Sequence, residues 1–287
     1  ARIARSQRPD LVYSRVASAC CFAAAFGCPT IYESHMPVRG AVSRVAFRVL
    51  VRLKSFRRLV CISQSLADHC QAVYGLPADK IVSAHDGADL LRPAEDGLAG
   101  AADPGGRPHV GHFGSLGSGE SGRGIDLVHG LAKRFPEAQF DMVGGNPGEV
   151  EYWKYTMGLP NVAFYGRLPH SSLAERYRKC DVLIAPYQRR VVVGGGTDTS
   201  AWMSPLKIFE YMAAGKAIVC SDMPVLREVL ESDRTALLVP PDDLDAWCRA
   251  LARLIGDAAL RARLGKAAQR EFAEKYTWTE RARRVLA

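Results

Sequence analysis

Short apolar runs recur along this chain, and many are separated by amphipathic stretches of helix length. That alternation limits what the chain can fold into. The runs read as strands are 11–15, 30–34, 59–63, 80–85, 109–115, 139–145, 162–166, 181–187, 217–222 and 236–240. Stretches 123–134, 171–179, 204–214, 223–231 and 242–255 carry helical spacing between them. Strands this short, alternating with helices, imply an α/β architecture with parallel sheets covered on both faces. Segment 92–108 lacks hydrophobic periodicity, is rich in Ala, Gly, Pro and Asp, and reads as a linker. A chain of 287 residues has room for two domains on either side of it. The expected division is 1–95, 96–108, 109–270 and a closing helix over 271–287. No apolar run is long enough to span a bilayer.

The net charge of +8 is concentrated in one place. Residues 39–58 hold seven basic residues and no acidic one, so the rest of the chain is close to neutral. A single local patch argues against a nucleic-acid surface. Arg44, Arg48 and Arg52 recur at four-residue spacing, with Val42, Val45, Ala46, Val49, Leu53 and Phe56 supplying an apolar face. This pattern suits a helix lying on an anionic membrane surface, and equally a packed helix with a solvated Arg face. The cysteines, Cys20, Cys21, Cys28, Cys61, Cys70, Cys180, Cys220 and Cys248, form no CxxC pair and read as reduced small hydrophobes. No secretory leader is visible, so a cytoplasmic location is expected, with a peripheral position on the inner face of the membrane as an extension of it. The chain opens without Met on what resembles the middle of an α/β domain, and the first domain is expected to be partial.

Two segments carry chemistry. In 111–135 an apolar strand runs into Gly114, Gly117, Gly119, Gly122 and Gly124 and then into a helix, with Arg123 at its start. Unpaired N–H groups at such a helix start suit a phosphate. Arg123-Gly124 stands where a Walker loop needs Lys followed by Ser or Thr. The dinucleotide fingerprint fails as well, because the next strand ends in Gly144-Gly145 and not in an acid. A plain flexible turn is the alternative. In 204–222, Ser204-Pro205 reads as a hydroxyl cap with Pro in the first turn, and Gly215 ends the helix. Lys207 and Glu210 share a helix face. They suit a diphosphate and the hydroxyls of a sugar or ribose, or form an ordinary surface pair.

The order of these motifs resembles the retaining glycosyltransferases of family 4. The resemblance is carried by FGSLGSGESGRGIDL, NVAFYGRLPHSSLAERYRKCDVLIAPY and SPLKIFEYMAAGKAIVCSDMPVLREVL, with KIVSAHDGADL before the linker and EFAEKYTWTERARRVL at the end. It is strong over 109–287 and looser over 8–91. It implies a GT-B fold, two Rossmann-like parallel-sheet domains facing across a cleft, the first contacting the acceptor and the second the donor. The implied activity is transfer of a hexosyl group from a nucleotide-diphosphate-sugar to a hydroxyl acceptor, a glycan or lipid-linked molecule of the cell envelope, with membrane-surface contact through 39–58. Front-side displacement needs neither a protein nucleophile nor a metal, and no cofactor is expected. His35, Glu210 and Lys207 map to catalytic positions, and Gly114, Ser115, Arg123, Gly124, Gly144, Arg167, Ser204, Pro205 and Leu206 to donor contacts.

Two positions depart from the family pattern. Trp202 stands where an acid usually lies eight residues before Glu210, and Ser115 stands where a second basic residue follows the strand. Asp242-Asp243 and Glu231 with Asp233 read as a helix start and as surface, not as a metal motif. A lone His such as His35 can also be structural. Loop 189–203, with its run of glycines, reads as a mobile cover for the donor sugar. Nucleotide-sugar binding without turnover, and epimerisation of a nucleotide-sugar, are the competing functions.

Overall fold

The computed structural model describes residues 9–90, 106–117 and 123–287. The linker expected over 96–108 lies mostly outside them. The chain divides into two units. One comprises Ala1–Asp86, Ala201–Ser204 and Thr279–Ala287, the other Gly87–Ser200 and Pro205–Trp278.

The first unit holds a parallel sheet in the order β1 (Val12–Ser14), β2 (Thr30–Ser34), β3 (Phe56–Cys61), β4 (Ile81–Ser83). Every residue of β2 is buried, as expected of a strand covered on both faces. Helices α1 (Ala17–Ala25), α2 (Ala41–Leu50) and α3 (Gln64–Tyr74) connect the strands. The Ser63 hydroxyl accepts from the Leu66 N–H at 3.2 Å and starts α3, and Gly75 ends it in the left-handed conformation. Phe47, Leu50, Phe56, Leu59 and Leu66 fill the core.

This corrects the reading of the basic stretch. It is not one helix: α2 ends at Leu50, and Phe56, Arg57 and Arg58 belong to β3. The apolar residues also divide. Phe47 and Leu50 turn inward, while Val42, Val45 and Val49 are 78%, 59% and 44% exposed.

The second unit holds a six-stranded parallel sheet, β12-β11-β8-β5-β6-β7. Its strands are β5 (His109–Phe113), β6 (Gln139–Val143), β7 (Val162–Gly166), β8 (Val182–Ala185), β11 (Ala217–Ser221) and β12 (Leu237–Val239). Helices α4 (Ile125–Arg134), α5 (Pro147–Met157), α6 (His170–Lys179), α7 (Leu206–Ala213), α8 (Leu244–Gly256) and α9 (Ala258–Lys275) complete it, and α10 (Trp278–Leu286) follows. Val128, Leu131, Phe140, Trp153, Ile184, Trp247 and Leu251 form its core. The Asn161 amide, buried among them, donates to the carbonyls of Ala132, Phe135 and Ala138 where α4 ends.

The helix expected over 223–231 is a string of tight turns instead. The Arg227 guanidinium is drawn back onto the Asp222 carboxylate, and the Glu231 N–H donates to Thr235 Oγ1, so the ladder never propagates. Loop 189–203, read as mobile, contains a small antiparallel hairpin of β9 (Val192–Val193) and β10 (Thr197–Asp198). The Asp198 carboxylate accepts from the N–H groups of Ser200 and Val191, which closes its base. The cysteines of the described chain are free, most of them buried. No helix among the described residues is long and apolar enough to cross a membrane.

Candidate functional site

In an open parallel sheet, ligands bind beyond the carboxyl ends of the strands where the strand order reverses. In the second unit that point lies between β5 and β8. Their pairing runs only through Val110↔Val182 and Gly111↔Leu183. Beyond it the strands part, and the Tyr211 ring of α7 fills the gap. Tyr211 Oη accepts from the Phe113 N–H at 2.8 Å and donates to the Ile184 carbonyl at 3.4 Å. The parting of the strands at the head of β5 is thus built into the backbone and held by a buried tyrosine.

The turn after β5 is made of close approaches. Gly114 N–H donates to the Val143 carbonyl at 2.9 Å. A Cβ on Gly144 would lie 2.0 Å from the Gly114 oxygen, so the two glycine backbones lie in contact and no side chain fits between them. At the start of α4 a Cβ on Gly124 would lie 1.8 Å from the Pro186 carbonyl. The Arg123-Gly124 step is therefore pressed against the exit of β8. Helix α4 begins after Gly124 without a side-chain cap, and among the described residues no side chain bonds its first N–H groups, which suits an anion there. Ser115 is exposed beside the turn. Gly119 and Gly122 lie outside the described residues.

Lys207, in the first turn of α7, reaches toward the head of β5. Its Nζ is 3.4 Å from His112 Nε2 and 4.9 Å from the centre of the Tyr187 ring. A Cβ on Gly114 would lie 3.2 Å from Lys207 Cε and Nζ. Burial first, and then the positive charge of Arg123, pull the Lys207 ammonium down to about 7. The charge of Arg123 is therefore felt at Lys207, whose own charge is costly there without an anion. One turn further on, Glu210 Oε2 accepts from Tyr177 Oη at 2.9 Å, and Oε1 lies 3.7 Å from His170 Nε2. Glu210, Tyr177, His170, Leu206 and Trp278 line a cavity of about 190 Å³. Pro205 is the residue before α7, and Arg167 lies exposed just beyond β7.

Ser204 departs from its expected role. Its hydroxyl does not cap α7, which starts at Leu206 without a side-chain cap. It accepts from the Asp86 N–H at 2.8 Å, within the first unit. Trp202, in the place of the expected acid, is also part of that unit. Its carbonyl accepts from Ser63 Oγ at 3.0 Å, and its ring lies 4.8 Å from that of His69.

In the first unit His35 stands beyond the end of β2. Its Nε2 lies 2.5 Å from Glu33 Oε1, and Arg281 Nη2 donates to Glu33 Oε2 at 2.8 Å. Burial pushes the Glu33 carboxyl up, but the bonds from His35 and Arg281 outweigh it and hold the group below the usual carboxylate range. His35 lines a cavity of about 490 Å³ with Arg15, Tyr32, Glu33, Arg39 and Ser43.

Tyr177, Tyr187 and His112, which fix these groups together with Tyr211, are not among the residues the sequence singles out. Only His112 carried a signal, as a polar residue inside an otherwise buried strand.

Residues 107–257 match the family described as glycosyl transferases group 1, and 1–92 match glycosyltransferase family 4. The chain is 27% identical over 175 residues to a sulfoquinovosyl transferase of Arabidopsis thaliana, covering 60% of this chain and 31% of that protein. It is 30% identical over 151 residues to a phosphatidyl-myo-inositol mannosyltransferase of Mycolicibacterium smegmatis, covering 52% and 36%. It thus spans about a third of the length of these curated relatives. Among solved structures, a glycosyltransferase from Rickettsia africae superposes with a TM-score of 0.76 at 16% identity, covering 99% of this chain and 77% of that one. Anabaena HepE in complex with UDP and glucose superposes with 0.72 at 20%, covering 99% and 78%. Parallel α/β units, structural neighbours of the GT-B fold and a family match over more than half of the residues converge: the chain belongs to the group 1 glycosyl transferases.

Proposed function

We propose that this chain serves sugar transfer from a nucleoside diphosphate-sugar to a hydroxyl acceptor, with the diphosphate held at the head of β5. The observation that carries this is the convergence of Lys207 and Arg123 on a glycine-built turn beside an uncapped helix start. A diphosphate supplies the negative charge the two cations lack, and the α4 N–H groups supply donors. Glu210 opens on a cavity suited to a ribose or sugar, whose hydroxyls a carboxylate accepts from. That HepE has been seen with UDP and glucose supports this class of donor.

The chemistry we propose is retaining and metal-independent. The bond from the anomeric carbon to the diphosphate oxygen breaks as the acceptor oxygen bonds on the same face, and the acceptor proton passes to the departing diphosphate. Lys207 and Arg123 stabilise the charge that develops there. His35, fixed by Glu33, acts on the transferred sugar. The acceptor is a glycan or lipid-linked molecule of the cell envelope, as the phosphatidyl-inositol mannosyltransferase name suggests for that relative. Exposed Val42, Val45 and Val49 between Arg44 and Arg48 suit a helix resting on an anionic leaflet, so peripheral attachment on the cytoplasmic side belongs to the same proposal. Sedimentation with anionic vesicles tests it. Val45→Glu, at an exposed position, lowers binding without loss of the fold, and vesicles that never bind the wild type refute attachment.

Nucleotide-sugar binding without turnover has one observation in its favour: the position of the usual acid is taken by Trp202, which is engaged in packing. Release of nucleotide from labelled nucleotide-sugars, with and without crude lipid acceptor, separates the two. Acceptor-dependent release supports transfer, and binding without release supports the second reading.

A further inference from the structure

The second unit contains a histidine whose presence packing alone does not explain. His112 lies on β5, fully buried and next to the last residue of the strand. Its Nδ1 has no hydrogen-bond partner among the described residues, and its Nε2 faces the Lys207 amine at 3.4 Å. A buried polar atom without a partner costs stability, and an apolar side chain here would avoid that cost. The neighbours of Lys207 narrow what His112 does. Tyr187 offers a ring face, Arg123 repels the ammonium, and Cys220, whose thiol burial pushes up to about 12, is neutral. Glu210 accepts from Tyr177. Among the described residues, Nε2 of His112 is the acceptor that Nζ meets, at 3.4 Å.

Resting on the reading of Lys207 as a diphosphate contact, we propose that His112 is a positioning residue. Its Nε2 lone pair accepts from Lys207 Nζ and holds the amine against Gly114, where the phosphates arrive. This fixes the tautomer: the proton sits on Nδ1, the atom left unpartnered, and Nε2 is bare. Burial first, and then the charges of Lys207 and Arg123, keep the imidazole neutral by pushing its pKa well below the usual value, so that it can accept. Without the bond, the four-carbon stem of Lys207 samples other rotamers and must be ordered when the nucleotide binds.

The tautomer is read by nitrogen NMR of the protein labelled at histidine, without any ligand. The expected spectrum shows His112 with a bare Nε2 and a protonated Nδ1, and both signals move in Lys207→Met. A proton on Nε2, or signals unaltered in Lys207→Met, overturns the pairing. Calorimetry with UDP, GDP and ADP, each titrated separately, tests the positioning. For the tightest of them, His112→Phe weakens binding about five- to tenfold, the loss of one hydrogen bond. His112→Gln, whose terminal amide oxygen reaches the place of Nε2, binds within about twofold of wild type by the same arithmetic. If His112→Phe does not fold, the Gln variant carries the test, and affinity as low as that of Lys207→Met overturns the inference. Wild-type affinity in His112→Phe overturns it too. Wild-type affinity in Lys207→Met instead overturns the diphosphate reading on which it rests, so the two failures are distinguishable.

Discussion

If the diphosphate sits against Lys207 as proposed, nucleotide binding is expected to draw a proton into this protein above neutral pH. Desolvation first, and then the Arg123 charge, hold the Lys207 ammonium at about 7. A diphosphate beside it replaces lost solvation with negative charge and returns the ammonium to the ordinary lysine range. At pH 8 about a tenth of the free protein carries the proton and nearly all of the complex does. Uptake is then about 0.9 proton per nucleotide, falling to about 0.1 at pH 6. The terminal phosphate has a pKa of about 6, so at pH 8 the ligand contributes little. His112 is neutral throughout this window, and the Cys220 thiol and the Tyr187 hydroxyl, both raised by burial, stay protonated. Calorimetry at pH 8 in two buffers of different ionisation enthalpy measures the uptake directly. The slope of heat against buffer enthalpy corresponds to about 0.9 proton in wild type and to about zero in Lys207→Met, and affinity drops nearly tenfold from pH 8 to 9. A buffer-independent heat at pH 8, with equal affinity at pH 7 and 9, refutes the placement of the diphosphate against Lys207.

Three further outcomes follow from the same geometry. Glu210→Gln weakens nucleoside diphosphate binding about tenfold, the order of a hydrogen bond to a charged group, and leaves pyrophosphate binding unaltered in parallel titrations. Gly144→Ala drives a methyl into the Gly114 carbonyl, with the backbone at φ 116°, so nucleotide binding is lost in calorimetry even in the fraction that still folds by circular dichroism. Without ligand, the lowered Lys207 pKa means the unfolded chain binds more protons than the folded one between about pH 7 and the ordinary lysine range. Stability in urea therefore rises with pH between about 7 and 8, by at most about 1.4 kcal/mol per pH unit and less for the partial exposure of the side chain, and Lys207→Met removes the rise; at higher pH the buried thiols of Cys20, Cys180 and Cys220, pushed up by burial, act in the opposite sense.

The strands of this fold are visible in the sequence because those of a doubly covered sheet are continuous apolar runs between turn residues. That is why β2, β6, β7 and β11 match their predicted spans to within two residues. The glycine turn and the α7 segment stand out for a different reason: glycines clustered before a helix, and Lys207 and Glu210 on one helix face, are local patterns that need no knowledge of distant contacts. Helices α1, α3 and α5 were not, since an alanine-rich stretch such as α1 has no periodicity to read, and the capping box of Asn146 and Glu149 went unrecognised. The stretch over 223–231 shows the opposite failure: its apolar spacing is helical, but Asp222 and Thr235 recruit its ends into turns. The supports of the site were hidden because they depend on contacts between distant residues. Tyr211 meets Phe113, Tyr177 meets Glu210, and His112 meets Lys207 across 95 positions of sequence.

Diffraction from crystals grown with the nucleoside diphosphate that binds tightest tests the central claim most directly. Difference density for both phosphates is expected at the head of β5, bonded to Lys207 Nζ, to the Arg123 guanidinium and to the first N–H groups of α4. Density for the nucleotide anywhere else on the second unit, with Lys207 still on His112 and nothing beside the glycine turn, contradicts it.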